Sequence, residues 1–255
     1  MDVFVCNRGR IRIDNGRRRN CQTSKAPSTA QVPKRTDSIT VTADYPKEQM
    51  QNEDECDAKI KFGEDAVKQG AFDKGQEYFQ QAWSMTEKYG YLEGRQERLL
   101  INIGITQLLQ NRSSEAVATF QKLLDRKKDQ CRPDSEYPAD CAKAQVSLGR
   151  AVAINGDLIG GLSLINSAID NYGRQLKLDD FEIEKYVHQA RQSEAMAYEA
   201  VLISRLGDQT RARTILAEAK SMLERVIAAA DSEPGAVELS RNVMTLVTAL
   251  AQQIQ

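Results

Sequence analysis

Residues 149–168 read GRAVAINGDLIGGLSLINSA. Gly149 opens the stretch, Gly156 follows seven residues later, Gly161 five after that, Ile165 four later and Ala168 three later. Each position has a physical reason to be what it is. A small residue at 149 lets a second helix approach the first closely, and glycine at 156 tolerates the positive φ of a helix-ending turn. Gly161, Ile165 and Ala168 are spaced i, i+4 and i+7, so they form one stripe of a helix packing on its neighbour. The same five-point pattern occurs three more times: Gly63, Gly70, Gly75, Phe79, Ala82; then Gly104, Asn111, Ala116, Phe120, Leu123; then Ala200, Gly207, Ala212, Leu216, Ala219. The chain is therefore expected to repeat a helical hairpin.

These four copies resemble the tetratricopeptide repeat family, best at the turn and small-residue positions. The resemblance implies an all-α, right-handed superhelical solenoid of about four TPR-like helical hairpins. There are departures from the family. Gly63, Gly104, Gly149 and Ala200 stand 41, 45 and 51 residues apart, against a usual period of about 34. Helices or loops must be extended, and Tyr91 to Gln110 and Asp180 to Leu206 are expected as long helices. Periods in the low forties are similar to those of kinesin light chain repeats, whose other recurrent residues are absent here. Lys59, Gln145 and Glu199 also stand where the family prefers apolar residues.

After the fourth hairpin, Pro234 suits a first helical turn, and Leu239, Val243, Leu246, Val247 and Leu250 form an apolar stripe. This predicts a C-terminal capping helix, which a solenoid needs to cover its last packing face. The expected helices are 53–69, 72–89, 91–110, 113–128, 136–155, 158–174, 180–206, 209–230 and 234–253. The chain divides into a basic N-terminal segment, 1–52, and a TPR-like helical repeat domain, 53–255. Residues 1–40 hold nine Lys and Arg against Asp2, Asp14 and Asp37, with a Ser/Thr/Pro/Gln stretch and no apolar period. Such a segment is expected to be disordered. Its Arg-rich, hydroxyl-rich, acid-poor composition fits a plastid or mitochondrial transit peptide, or else a solvated basic tail of an otherwise cytoplasmic protein.

Composition narrows the function. The formal net charge is -1, which argues against nucleic acid as a partner, since phosphate neutralisation needs a basic face. No window approaches the length of an apolar membrane span. Cys6, Cys21, Cys56, Cys131 and Cys141 are odd in number and lack a C-x-x-C pair, which fits neither a disulfide framework nor a zinc module. A reducing compartment is the default expectation, and Cys131 and Cys141 pair only if the fold brings them together. The single His188 follows Glu184 by four residues, a spacing that two metal ligands use, but a lone pair reads as a surface or packing feature. The glycines from Gly156 to Gly161 lack a Lys-Ser/Thr continuation, so they are turn and packing residues and not a phosphate loop. Cys56 and Cys141 are expected as structural thiols, and Asp179 with Asp180 as the start of a helix. No catalytic, metal or cofactor site is expected, nor a small-molecule substrate.

The family resemblance implies that the first helix of each hairpin lines a concave groove. Its exposed positions here would be Ile60 and Glu64, Arg98, Ile101, Asn102 and Ile105, Lys143, Val146 and Arg150, and Ala197, Val201 and Arg205. That is an apolar floor with basic edges, suited to a protein or peptide with apolar anchors and acidic flanks. The alternative is that the isoleucines merely pack between helices. Some family members clamp a chaperone C-terminal carboxylate; the matching positions are Ile60, Glu64, Asn102, Lys143 and Ser147, and Glu64 would repel that carboxylate. The expected function is a non-catalytic binding scaffold, in one version an organellar assembly factor. The alternative is a structural subunit of a larger complex, tethered by its basic tail.

Overall fold

A computed structural model describes residues 46–229, 233–252 and 254. The segment expected to be disordered therefore lies, up to residue 45, outside the described residues. Among the described residues nine α-helices follow in order: α1 (Lys47–Lys68), α2 (Phe72–Lys88), α3 (Gln96–Leu109), α4 (Ser113–Arg126), α5 (Pro138–Ile154), α6 (Leu158–Leu178), α7 (Glu182–Arg205), α8 (Gln209–Ala229) and α9 (Pro234–Ala251). Among the described residues none is a strand. Helices pack as successive hairpins, α1 on α2, α3 on α4, α5 on α6 and α7 on α8, and each second helix also packs on the next hairpin's first. Helix α9 covers both α7 and α8, as expected of a cap, with Pro234 in its first turn.

The repeat pattern dictates this packing. All four turn residues have positive φ: Gly70 at 77°, Asn111 at 61°, Gly156 at 107° and Gly207 at 100°. Asparagine is the non-glycine residue that tolerates this region best. The first small residue of each copy meets the bulky fourth one across the hairpin. A Cβ on Gly104 would stand 2.5 Å from Cζ of Phe120, and one on Gly149 3.1 Å from Ile165. Ala200 and Leu216 share one buried cluster. The core is thus a row of clusters, linked by side chains such as Trp83 and Leu162 that lie against two of them. Such a core grows one hairpin at a time.

The long periods have a different cause in each repeat. Between the first and second hairpins, Gly90–Arg95 form a 3₁₀ turn. The long helix expected from Tyr91 is therefore shorter: Gly90 and Gly94 weaken α-helix there, and the turn drops Leu92 into the core, fully buried. Between the second and third, the excess is the connection 127–137. Between the third and fourth it lies in α6, 21 residues, and α7, 24 residues. Helix α6 runs past the expected 174 because Tyr172 and Gln175 continue its buried face.

Boundaries differ from expectation at two further places. Helix α1 starts at Lys47, before residue 53. Asp179 does not begin a helix; it ends α6, and its side chain is 1% exposed. It accepts hydrogen bonds from Gln175 Nε2 at 2.8 Å and faces His188 Nδ1 at 2.8 Å. A buried carboxylate needs such partners more than it needs a helix dipole.

The polar residues at apolar family positions are answered across each hairpin. Lys59 donates to Gln81, Gln145 accepts from Asn171, and Glu199 pairs with Arg211 at 3.4 Å. Burial pushes the Glu199 carboxyl up and Arg211 only partly offsets this. The cysteines divide. Cys131 and Cys141 are bonded as a disulfide, which the odd cysteine count had not favoured. The fold brings the 127–137 connection back over the first turn of α5. Cys56 is a buried free thiol, raised by burial, with Ala82 O 3.8 Å from its Sγ.

Candidate functional site

The first helices of the hairpins pack on their own second helices, and α3, α5 and α7 pack also on the second helix of the preceding hairpin. That geometry removes several expected groove residues from solvent. Ile60 is 0% exposed, in a cluster with Phe79 and Leu99. Val146 and Ala197 are buried too. Ile101 and Val201 are half-buried against neighbouring clusters. Of the expected apolar floor only Ile105 is exposed, at 37%.

The charged positions of the same face bind one another across hairpins. Arg98 forks onto Glu64, Nε to Oε1 and Nη2 to Oε2, both at 2.9 Å, and Asn102 donates to Glu64 Oε1 at 2.9 Å. Arg95 spans Asp57 and Glu53 in the same way. Glu97 on α3 receives Lys127 at 2.7 Å and Lys143 of α5 at 3.5 Å. Burial pushes Glu97 up, but the two lysines outweigh it and its carboxyl lies below the ordinary value. Arg150 of α5 stacks over the Tyr198 ring of α7 at 4.2 Å. Arg98, Asn102, Lys143 and Arg150 are therefore inter-hairpin clasps. They were expected to be free polar edges. Lys127, on the connecting side, is the most engaged lysine of this network, with Asp140 also 3.1 Å away.

The turn-side end of the face is different. Two residues before each turn residue the chain carries Lys68, Leu109, Ile154 and Arg205, and all four are exposed. Leu109 and Ile154 are 49% and 52% exposed. By helical spacing Leu109 lies one turn beyond Ile105 on α3. Glu64, Lys68, Asn102 and Ile105 line a hollow of about 270 Å³ between α1 and α3. Two apolar positions in the middle of the array are thus flanked by cations in the first and fourth hairpins. Leu109 and Ile154 were legible as a repeat column, but the stripe logic weighs buried positions and passes over them.

His188 joins Asp179, Glu184, Tyr137, Ile183 and Gln175 around a cleft of about 440 Å³ on the opposite edge. Asp179 engages the Nδ1 of His188, and Glu184 lines the same cleft. Among the described residues no group of three or more His, Cys, Asp or Glu is placed to hold a metal ion. Nor is any described helix long and apolar enough to cross a membrane.

No family model matches the chain, and no curated protein does. Among solved structures it is similar to a Podosopora anserina chain described as kinesin light chain with nearly identical TPR-like repeats. The identity is 14% over 77% of this chain and 86% of that one, with a TM-score of 0.42. A variant of that chain aligns at 13% identity over 77% and 91%, with a TM-score of 0.42. These neighbours are TPR-like repeats.

Proposed function

We propose that this chain is a non-catalytic scaffold that binds a protein or peptide on the turn-side half of its first-helix face. The observation that carries the reading is the column Lys68, Leu109, Ile154 and Arg205, exposed at one repeat position on four successive hairpins. With Ile105 it offers apolar anchoring points between cationic ends. The other half of the face is internally neutralised, so a partner gains little there. An extended or helical segment with apolar anchors and acidic flanks complements this column, its anchors contributing most of the affinity and its acids the association rate. In an organellar assembly role, which the composition of the first 40 residues suggests, the chain would hold such a segment without altering it.

Selection of displayed random peptides on the folded chain tests this. Enriched peptides should combine acidic with apolar residues and should crosslink, from photoreactive side chains, to α3 and α5 near Ile105, Leu109 and Ile154. Enrichment of basic peptides, or crosslinks confined to α2, α4 and α6, would remove the reading.

A further inference from the structure

The connection between α4 and α5 is fastened at few points. Cys131, half-buried within it, is bonded to Cys141, which is fully buried in the first turn of α5. Arg174 of α6 donates from Nη1 to the carbonyls of Arg132 at 3.0 Å and Pro133 at 2.8 Å. The two sulfurs have unlike surroundings. Asn171 Nδ2 donates to Cys141 Sγ at 3.4 Å, and Arg174 Nη2 donates to the Asn171 Oδ1 at 2.5 Å, which holds the amide in that orientation. Asp140, the carboxylate next to Cys141 in sequence, is engaged by Lys127.

We propose that this disulfide is a thiol–disulfide exchange site, attacked at Cys131 by a dithiol reductant, that controls the mobility of the α4–α5 connection. Access directs the nucleophile to half-buried Cys131 and away from fully buried Cys141, and the leaving sulfur is then Cys141 Sγ. A leaving thiolate departs faster when its charge is stabilised, and the Asn171 N–H supplies a donor for it. The reductant's thiolate forms a new S–S bond to Cys131 as the Cys131–Cys141 bond breaks, and the electron pair passes to Cys141 Sγ, which then takes up a proton. The reductant's second thiolate attacks its own sulfur in the mixed disulfide and releases the Cys131 thiolate, which is protonated in turn. The dithiol ends as a disulfide and the protein as two thiols, two electrons and two protons having moved. The Arg174 contacts and the Lys127 pairs with Glu97 and Asp140 then remain to restrain the connection. Because Tyr137 and Asp140 form one wall of the cleft that also holds Asp179, Ile183 and His188, reduction loosens that wall.

The test uses the full oxidised chain with a C-x-x-C dithiol oxidoreductase whose resolving cysteine is replaced by serine, so that the mixed disulfide is trapped and located by peptide mass mapping. The trapped bond should fall on Cys131, and Asn171→Leu should slow trapping by about tenfold. On full reduction, amide hydrogen exchange across residues 128–137 should accelerate by about tenfold or more while α6 is unchanged. Should Asn171→Leu not fold, the trapping position in the parent chain decides alone. Trapping on Cys141, trapping only after denaturation, or a connection equally protected in both redox states would overturn the proposal.

Discussion

Gly149 and Gly161 face each other so closely that neither has room for a side chain. A Cβ on Gly149 would lie 2.9 Å from the Gly161 carbonyl oxygen, and one on Gly161 2.6 Å from that of Gly149. The obstacle on both sides is backbone, which cannot rotate away as a side chain can, so the α5–α6 crossing distance depends on both residues.

Gly149→Leu should accordingly lower stability by on the order of 1 to 3 kcal/mol or more, through overpacking. Gln209→Ala, at an exposed position, should change it by a few tenths. Urea denaturation of the two variants beside the parent measures both, and equal effects would place the crossing elsewhere.

Asn111 is the one described non-glycine residue with positive φ. Asn111→Gly should leave the thermal midpoint unchanged or raise it. Asn111→Val should cost about 1 to 2 kcal/mol, since a β-branched residue fits the left-handed region worst. A midpoint that ignores both substitutions would mean that the second turn is not held as described.

Lys127 gathers Glu97 and Asp140, and its side chain is 15% exposed. It is therefore unsuitable as a neutral control for binding at the first-helix face. Lys127→Glu should destabilise by on the order of 2 kcal/mol, because three carboxylates then converge. The pH dependence has a definite sign. Glu97 is held below its ordinary 4.5, so its contribution is complete above that value and is lost as pH falls through the lower folded value. Burial pulls Lys127 down, but its hydrogen bonds to Glu97 and Asp140 prevail and raise it above 10.5. Its contribution is complete below 10.5 and is lost as pH rises through the folded value. The stability gap between the parent and Lys127→Met should be flat between these limits and narrow outside both, as chemical denaturation across pH would record.

For the proposed binding face, Ile154→Asp and Ile105→Asp should each accelerate dissociation of an acidic, apolar-anchored peptide, by removing a desolvated anchor. Arg205→Glu should slow association, with a weaker dependence on salt than in the parent. Arg98→Glu is a poor probe, because it sets a carboxylate against Glu64 and disturbs folding as well as binding. Lys122→Glu, exposed on α4, serves as the control. Surface plasmon resonance at two salt concentrations separates the rates, and a control that weakens binding more than Ile154→Asp does would move the site to the second-helix face.

What the amino-acid order determined alone was local. Gly63, Gly104, Gly149 and Ala200, with their turn residues seven positions on, were legible because helix period and positive φ depend on a few neighbouring residues. The cap at Pro234 was legible for the same reason. Tertiary structure alone decided which stripe of each first helix stays wet. Ile60 and Ile105 look alike in a helical pattern, yet Ile60 lies in the core cluster of the first hairpin and Ile105 is exposed. It also decided that Arg98 meets Glu64, 34 residues away, that Asp179 turns inward to His188, and that Cys131 reaches Cys141. Those contacts depend on the distance and angle at which one hairpin stacks on the next. Many side chains at each interface set that geometry together, and no short stretch of sequence encodes it.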